Sequence, residues 1–179
     1  MKRTLIITVF FIAFLLIYFL QTNFFSWYNI DGIKPNLFII LALFIGLFMG
    51  KIYGFSMGGI FGICLDLFIG KRIGLNAIMM GIAGLIGGIL DKSFSKESRI
   101  TFMIMSLLIT MLCETVNYAL QIIILDAEQE FIKFMKIIMI EAIYNVILVI
   151  ILYPLIQKAG NRIEEMNIDN TSKSLMRYY

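Results

Sequence analysis

The chain has 179 residues, 60% of them hydrophobic and 14% aromatic, with only 15% charged, a formal net charge of +3 and a mean hydropathy of +0.92. This composition excludes a soluble globular domain and points to a polytopic membrane protein, since about six spans of about 20 residues use nearly the whole length. The basic residues lie at the ends of apolar runs, which argues against nucleic acid as a partner, and the absence of histidine excludes His-based triads and most zinc sites.

Met1-Lys2-Arg3 precedes an apolar run from Thr4 to Leu20. No small-x-small cleavage site follows, because the next residues are Gln21, Thr22, Asn23, Phe24 and Phe25, so a retained first span over about 4–20 is expected. Trp27 and Tyr28 fall where interfacial aromatics belong, and 29–35, with Asp31-Gly32, reads as a short polar connection. Pro35 suits the first turn of a second helix over about 36–49. A very short turn at Lys51 then implies an antiparallel hairpin with the third helix, about 52–69.

Gly46, Gly50, Gly54, Gly58, Gly62, Gly70 and Gly74 fall on one four-residue ladder, whose missing rung is Asp66. At about 100° per residue a four-residue step drifts by only about 40°, so Gly54, Gly58, Gly62 and Asp66 share one broad helix face. In water each glycine costs a helix about 1 kcal/mol relative to alanine, whereas in a bilayer such a face lets another backbone approach closely. The ladder is therefore read as a packing seam, with glycines available at the contact between helices two and three.

A fourth helix over about 73–90 carries Gly74, Gly81, Gly84, Gly87 and Gly88, and a polar loop at 91–99 separates this half from a Gly-free one. Helix five is expected over about 100–125, an acidic connection at 126–133, and helix six over about 134–156 with Pro154 near its end. The domain reading is one six-helix transmembrane domain, 1–157, followed by a polar and partly disordered cytoplasmic tail, 158–179. With the N-terminus inside, ten of the fifteen basic residues fall on the cytoplasmic side, which puts both termini in the cytoplasm and leaves Lys71-Arg72 outside.

Three carboxylates lie at membrane depth: Asp66, Glu114 and Glu141. An Asp there costs about 2.5 kcal/mol or more, so each needs a partner, a wet cavity or a proton. Glu114 and Asn117 are three apart, Glu141 and Asn145 four apart, so each pair faces one way along its helix. One reading is an intramembrane polar site for ions, protons or a small ligand, made by Glu114, Asn117, Glu141 and Asn145. The other is hydrogen bonding between helices, with Asp66 and Glu141 close enough to span ends to reach headgroups. Cys64 and Cys113 sit in apolar runs and are read as packing residues. Ser56 and Ser106 have no histidine to activate them, and no catalytic, cofactor or metal site is expected.

Pro35-Asn36-Leu37 opens helix two, Gly50, Gly54, Gly58 and Gly62 lead to Asp66-Leu67, and Gly74-Leu75-Asn76-Ala77 enters a Gly-rich helix. In this order and spacing the motifs, which cover about 35–88, resemble the rod shape-determining protein MreD family. That family usually shows Pro-Asp-Leu where this chain has Asn36 as the middle residue. The resemblance implies a non-enzymatic subunit of the bacterial cytoplasmic membrane that scaffolds side-wall peptidoglycan synthesis. It implies an MreC-like partner and, through it, MreB, a RodA-type polymerase and a class B penicillin-binding protein. The implied fold is an all-α six-helix bundle similar to the substrate-binding subunit of energy-coupling factor vitamin transporters, so a small-ligand-binding transport subunit is the alternative. Pro35, Asn36, Asp66 and Asn76 are the expected structural or partner-contact residues, with Gly54, Gly58 and Gly62 as packing positions.

Overall fold

The computed structural model describes residues 2–69, 73–90, 98–125 and 130–175, with side chains for 4–69, 73–90, 98–123 and 130–163. The expected turn at 70–72, most of the polar loop at 91–99 and most of the acidic connection at 126–133 lie outside the described residues, as does 176–179. Among the described residues there are six helices and no strand.

Helix α1 runs over Lys2–Phe19, passes through a π-helical turn at Leu20–Phe24 and ends in an α turn at Phe25–Trp27. The polar residues expected to follow the first span therefore remain helical. Their side chains explain why: Thr22 Oγ1 donates to the Tyr18 carbonyl at 2.7 Å, Asn23 Nδ2 to Phe19 at 2.9 Å and Ser26 Oγ to Thr22 at 2.6 Å. These bonds occupy carbonyls of the widened turn and let apolar surroundings tolerate it. Asp31 and Gly32, with φ of 53° and 80°, then form the two-residue turn that brings Ile30 and Ile33 into paired backbone bonds of 2.9 Å.

Helix α2, Leu37–Met49, is apolar on every side and buried at every residue from Leu37 to Phe48. A helix without a polar face belongs in the centre of a bundle, and the others surround it. At 1.5 Å per residue its 13 residues reach about 20 Å, short of a hydrocarbon core of about 30 Å. Asn36 caps its start and Gly50, at φ 88°, ends it with an N–H bond of 2.8 Å to the Gly46 carbonyl. Helix α3, Lys51–Ile69, follows at once, and α4 covers Leu75–Leu90. Gly46 and Gly54 meet where α2 and α3 fold back, since a methyl on Gly54 would stand 2.7 Å from the Gly46 Cα. Beyond that point the closest packing is between α3 and α4 rather than within the hairpin.

Helix α5, Arg99–Leu125, packs on α6, Phe131–Leu175. The last helix does not stop near 156 as expected but continues through Pro154 and into the polar tail as far as Leu175. It stays packed there, with Gly160 against the Phe48 ring of α2 and Ile163 buried. The Arg99 guanidinium lies 5.1 Å over the Tyr153 ring beside the proline. Among the described residues four stretches, Thr4–Trp27, Lys51–Ile69, Arg99–Ile123 and Phe131–Ile163, are long and apolar enough to cross a membrane, while α2 and α4 are shorter. The expectation of six full spans thus resolves into four helices of spanning length and two short inner ones. Helix α1 is fastened through Phe14, whose ring stacks on Phe61 at 4.9 Å and lies 5.4 Å from Phe38, and it exposes an apolar outer face that includes Leu5, Val9 and Phe11.

Candidate functional site

Two polar assemblies stand out inside this apolar bundle. The first is centred on Asp66, which is 1% exposed near the end of α3. Gly74, at φ 108°, precedes α4 and has no side chain with which to cap it. Asp66 supplies the cap from the neighbouring helix. Its Oδ2 accepts from Gly74 N at 2.7 Å and Ala77 N at 3.4 Å, and its Oδ1 from Asn76 N at 3.3 Å and Asn76 Nδ2 at 2.7 Å. A carboxylate facing the free N–H groups of a helix start is stabilised by those bonds and by the helix dipole. Asp66 thus has its partners without reaching headgroups, and Asn76 is one of them.

Behind this clamp the glycines of α3 ride on the α4 backbone. A methyl on Gly58 would stand 2.8 Å from the Met80 carbonyl carbon, one on Gly62 2.5 Å from the Asn76 oxygen, and one on Gly54 2.7 Å from the Gly84 carbonyl carbon. Gly46 of α2 meets Gly84 and Gly88 on the same helix. Gly46, Gly54, Gly58 and Gly62 of the ladder thus share one seam whose main partner is α4, while Gly50 leaves it at a turn, Gly74 precedes α4 and Gly70 lies outside the described residues.

The second assembly gathers at the start of α2. The Asn36 side chain accepts from Ile39 N at 3.4 Å, Asn145 Oδ1 of α6 accepts from Asn36 N at 2.7 Å, and Gln21 Oε1 of α1 accepts from Leu37 N at 3.3 Å. Gln21 Nε2 also donates to the buried Pro35 carbonyl at 2.7 Å. Two helices, α1 and α6, together with the Asn36 cap thus satisfy open N–H groups at the start of a third. Asn145 Nδ2 continues the network to Thr110 Oγ1 of α5 at 2.9 Å. The Glu114 carboxyl lies beside Asn117 of its own helix and Glu141 of α6, and Glu141 lies beside Asn36. Asn117 accepts from Gln121 Nε2 at 2.9 Å.

The structure therefore brings Asn36, Glu114, Asn117, Glu141 and Asn145 together with Pro35, and keeps Asp66 and Asn76 in a separate cluster. Gln21 and Thr110 belong to the network and were not singled out from the sequence. Gln21 stood just past an apolar run, where polarity signals the end of a span, and Thr110 is a small hydroxyl in an apolar stretch. Outside the helices the short loop is docked as well, with an Asp31–Lys136 ion pair and a 2.6 Å bond from the Tyr144 hydroxyl to the Tyr28 carbonyl. The Lys136 ammonium holds the Asp31 carboxyl below the usual carboxylate range. Cavities of about 290 and 230 Å³ are lined almost wholly by apolar side chains, the larger between α1, α2 and α6. Among the described residues no group of three or more Cys, Asp or Glu is placed to hold a metal ion.

A family model described as rod shape-determining protein MreD matches residues 1–161. No curated protein and no solved structure matches the chain.

Proposed function

The chain belongs to the rod shape-determining protein MreD family, a membrane family that determines cell shape, and from that premise we propose that it is a non-enzymatic, multi-pass scaffold of the bacterial elongation machinery. In this reading it sits in the cytoplasmic membrane with both termini inside and binds an MreC-like protein. Through that partner it helps to position MreB, a RodA-type polymerase and a class B penicillin-binding protein for side-wall peptidoglycan synthesis. The observation that carries the reading is the family match over 161 of 179 residues. The architecture supports it: a core interlocked by backbone-to-backbone glycine contacts is stiff, and a stiff bundle with broad apolar outer faces suits protein contacts within a bilayer. A small-ligand transport subunit finds no support in the comparisons, and the larger cavity offers no polar group to orient a vitamin-like ligand.

The test is a mild-detergent pull-down of the tagged chain from its own membranes, with co-purifying proteins identified by mass spectrometry. Recovery of a single-span, coiled-coil MreC relative with wall-synthesis enzymes is the expected result. Recovery of a transporter ATPase pair with none of these would sink the proposal.

A further inference from the structure

Glu114 and Glu141 are 8% and 7% exposed, and they face each other from α5 and α6. Glu141 Oε1 is buried and has no hydrogen-bond partner. Among the described residues, neighbours of the two carboxyls come from three helices. From α2 comes the Asn36 amide, from α5 Asn117 and the Cys113 thiol, and from each helix the other glutamate. The Cys113 thiol is turned to the Met79 carbonyl at 3.6 Å. Among the described residues no lysine or arginine forms an ion pair with either carboxyl.

An ionised carboxylate accepts hydrogen bonds and donates none. Two carboxylates in contact therefore repel, and in a pocket of low dielectric with no cation the repulsion is strong. One proton converts that contact into a charge-assisted O–H···O bond. We propose that Glu114 and Glu141 bind a single exchangeable proton between them, forming an acid–carboxylate pair that joins α5 to α6 beside the start of α2. The proton comes from water and no other bond changes. The negative charge that remains faces the Asn36 amide and the first turn of α2, the end of a helix where an anion is favoured. The shared proton is distinct from the scaffold reading, which stands or falls on partners.

The test is infrared spectroscopy of the purified full chain in detergent micelles at neutral pH. A protonated-carboxyl carbonyl band that shifts in heavy water is expected, unchanged when choline chloride is replaced by sodium chloride, and absent from the Glu114→Gln/Glu141→Gln double variant. A wild-type spectrum without the band, a band that sodium abolishes, or a band that survives in the double variant would each overturn the proposal. Should the double variant not fold, carbodiimide labelling of the wild-type chain with peptide mapping decides the matter. One adduct per chain, on Glu114 or Glu141, supports a shared proton; adducts on both in one chain, or on neither, refute it.

Discussion

Asp66 shows how one side chain sets the relation between two helices. Its two oxygens take bonds from Gly74, Asn76 and Ala77, so the end of α3 is tied to the first turn of α4 across a connection of only a few residues. Replacing it by Asn keeps the shape, removes the charge and turns an N–H₂ group toward backbone donors. Hydrogen bonds to charged groups contribute about 1.5–3 kcal/mol, so Asp66→Asn should destabilise the protein by about that much and Asp66→Leu by more, as read by thermal unfolding in micelles. An unfolding midpoint equal to that of the wild type in both variants would refute the capping role. The sequence marked Asp66 as a buried acid in need of a partner but gave no sign that the partner was a helix start, because backbone N–H groups carry no residue signature. Asn36 teaches the converse. Its side chain accepts from Ile39 N while lying beside the Glu141 carboxyl. An Asp at this place would cap the helix but offer Glu141 no donor when ionised.

At the scale of elements, the seam between α3 and α4 is built from backbone on backbone. The four-residue spacing was legible because a glycine ladder needs no knowledge of its partner to be recognised. What it contacts was not legible: the short link at Gly50 favoured α2, whereas α4 carries its own small residues, Ala77, Gly81 and Gly84, and admits α3 along its length. Gly58 and Gly59 are adjacent and form a controlled comparison. A methyl on Gly58 meets the Met80 backbone, which cannot give way as a flexible side chain would, while one on Gly59 meets nothing within 4 Å. Overpacking costs about 1–3 kcal/mol, so Gly58→Ala should lower the unfolding midpoint, whereas Gly59→Ala gains up to about 1 kcal/mol of helix propensity. Equal effects of the two substitutions would show that the seam is not close-packed.

At the scale of the whole molecule, the number of helices and the bounds of α2 to α5 were legible from the apolar runs, and the lengths of the first and last helices were not. Periodicity cannot show that α1 persists past Leu20 because Thr22, Asn23 and Ser26 bond back to its carbonyls. The same blindness applies at the other end, where polarity after 157 suggested a tail. Helix α6 instead continues so that Gly160 lies against the Phe48 ring and Ile163 is buried. The central helix is thus covered near its Gly50 end by residues that look peripheral in sequence, and the family match likewise reaches 161. This arrangement makes two truncations diverge. A chain ending after Ile163 keeps Gly160 against Phe48 and the buried Ile163, and should unfold at the temperature of the full chain. One ending after Ile156 loses both, and exposing a buried apolar side chain to water costs about 1.5–3 kcal/mol, enough to lower the midpoint measurably. If both truncations melt alike, the stretch from 157 to 163 is no part of the folded core; if the longer one also fails, the core extends beyond Ile163.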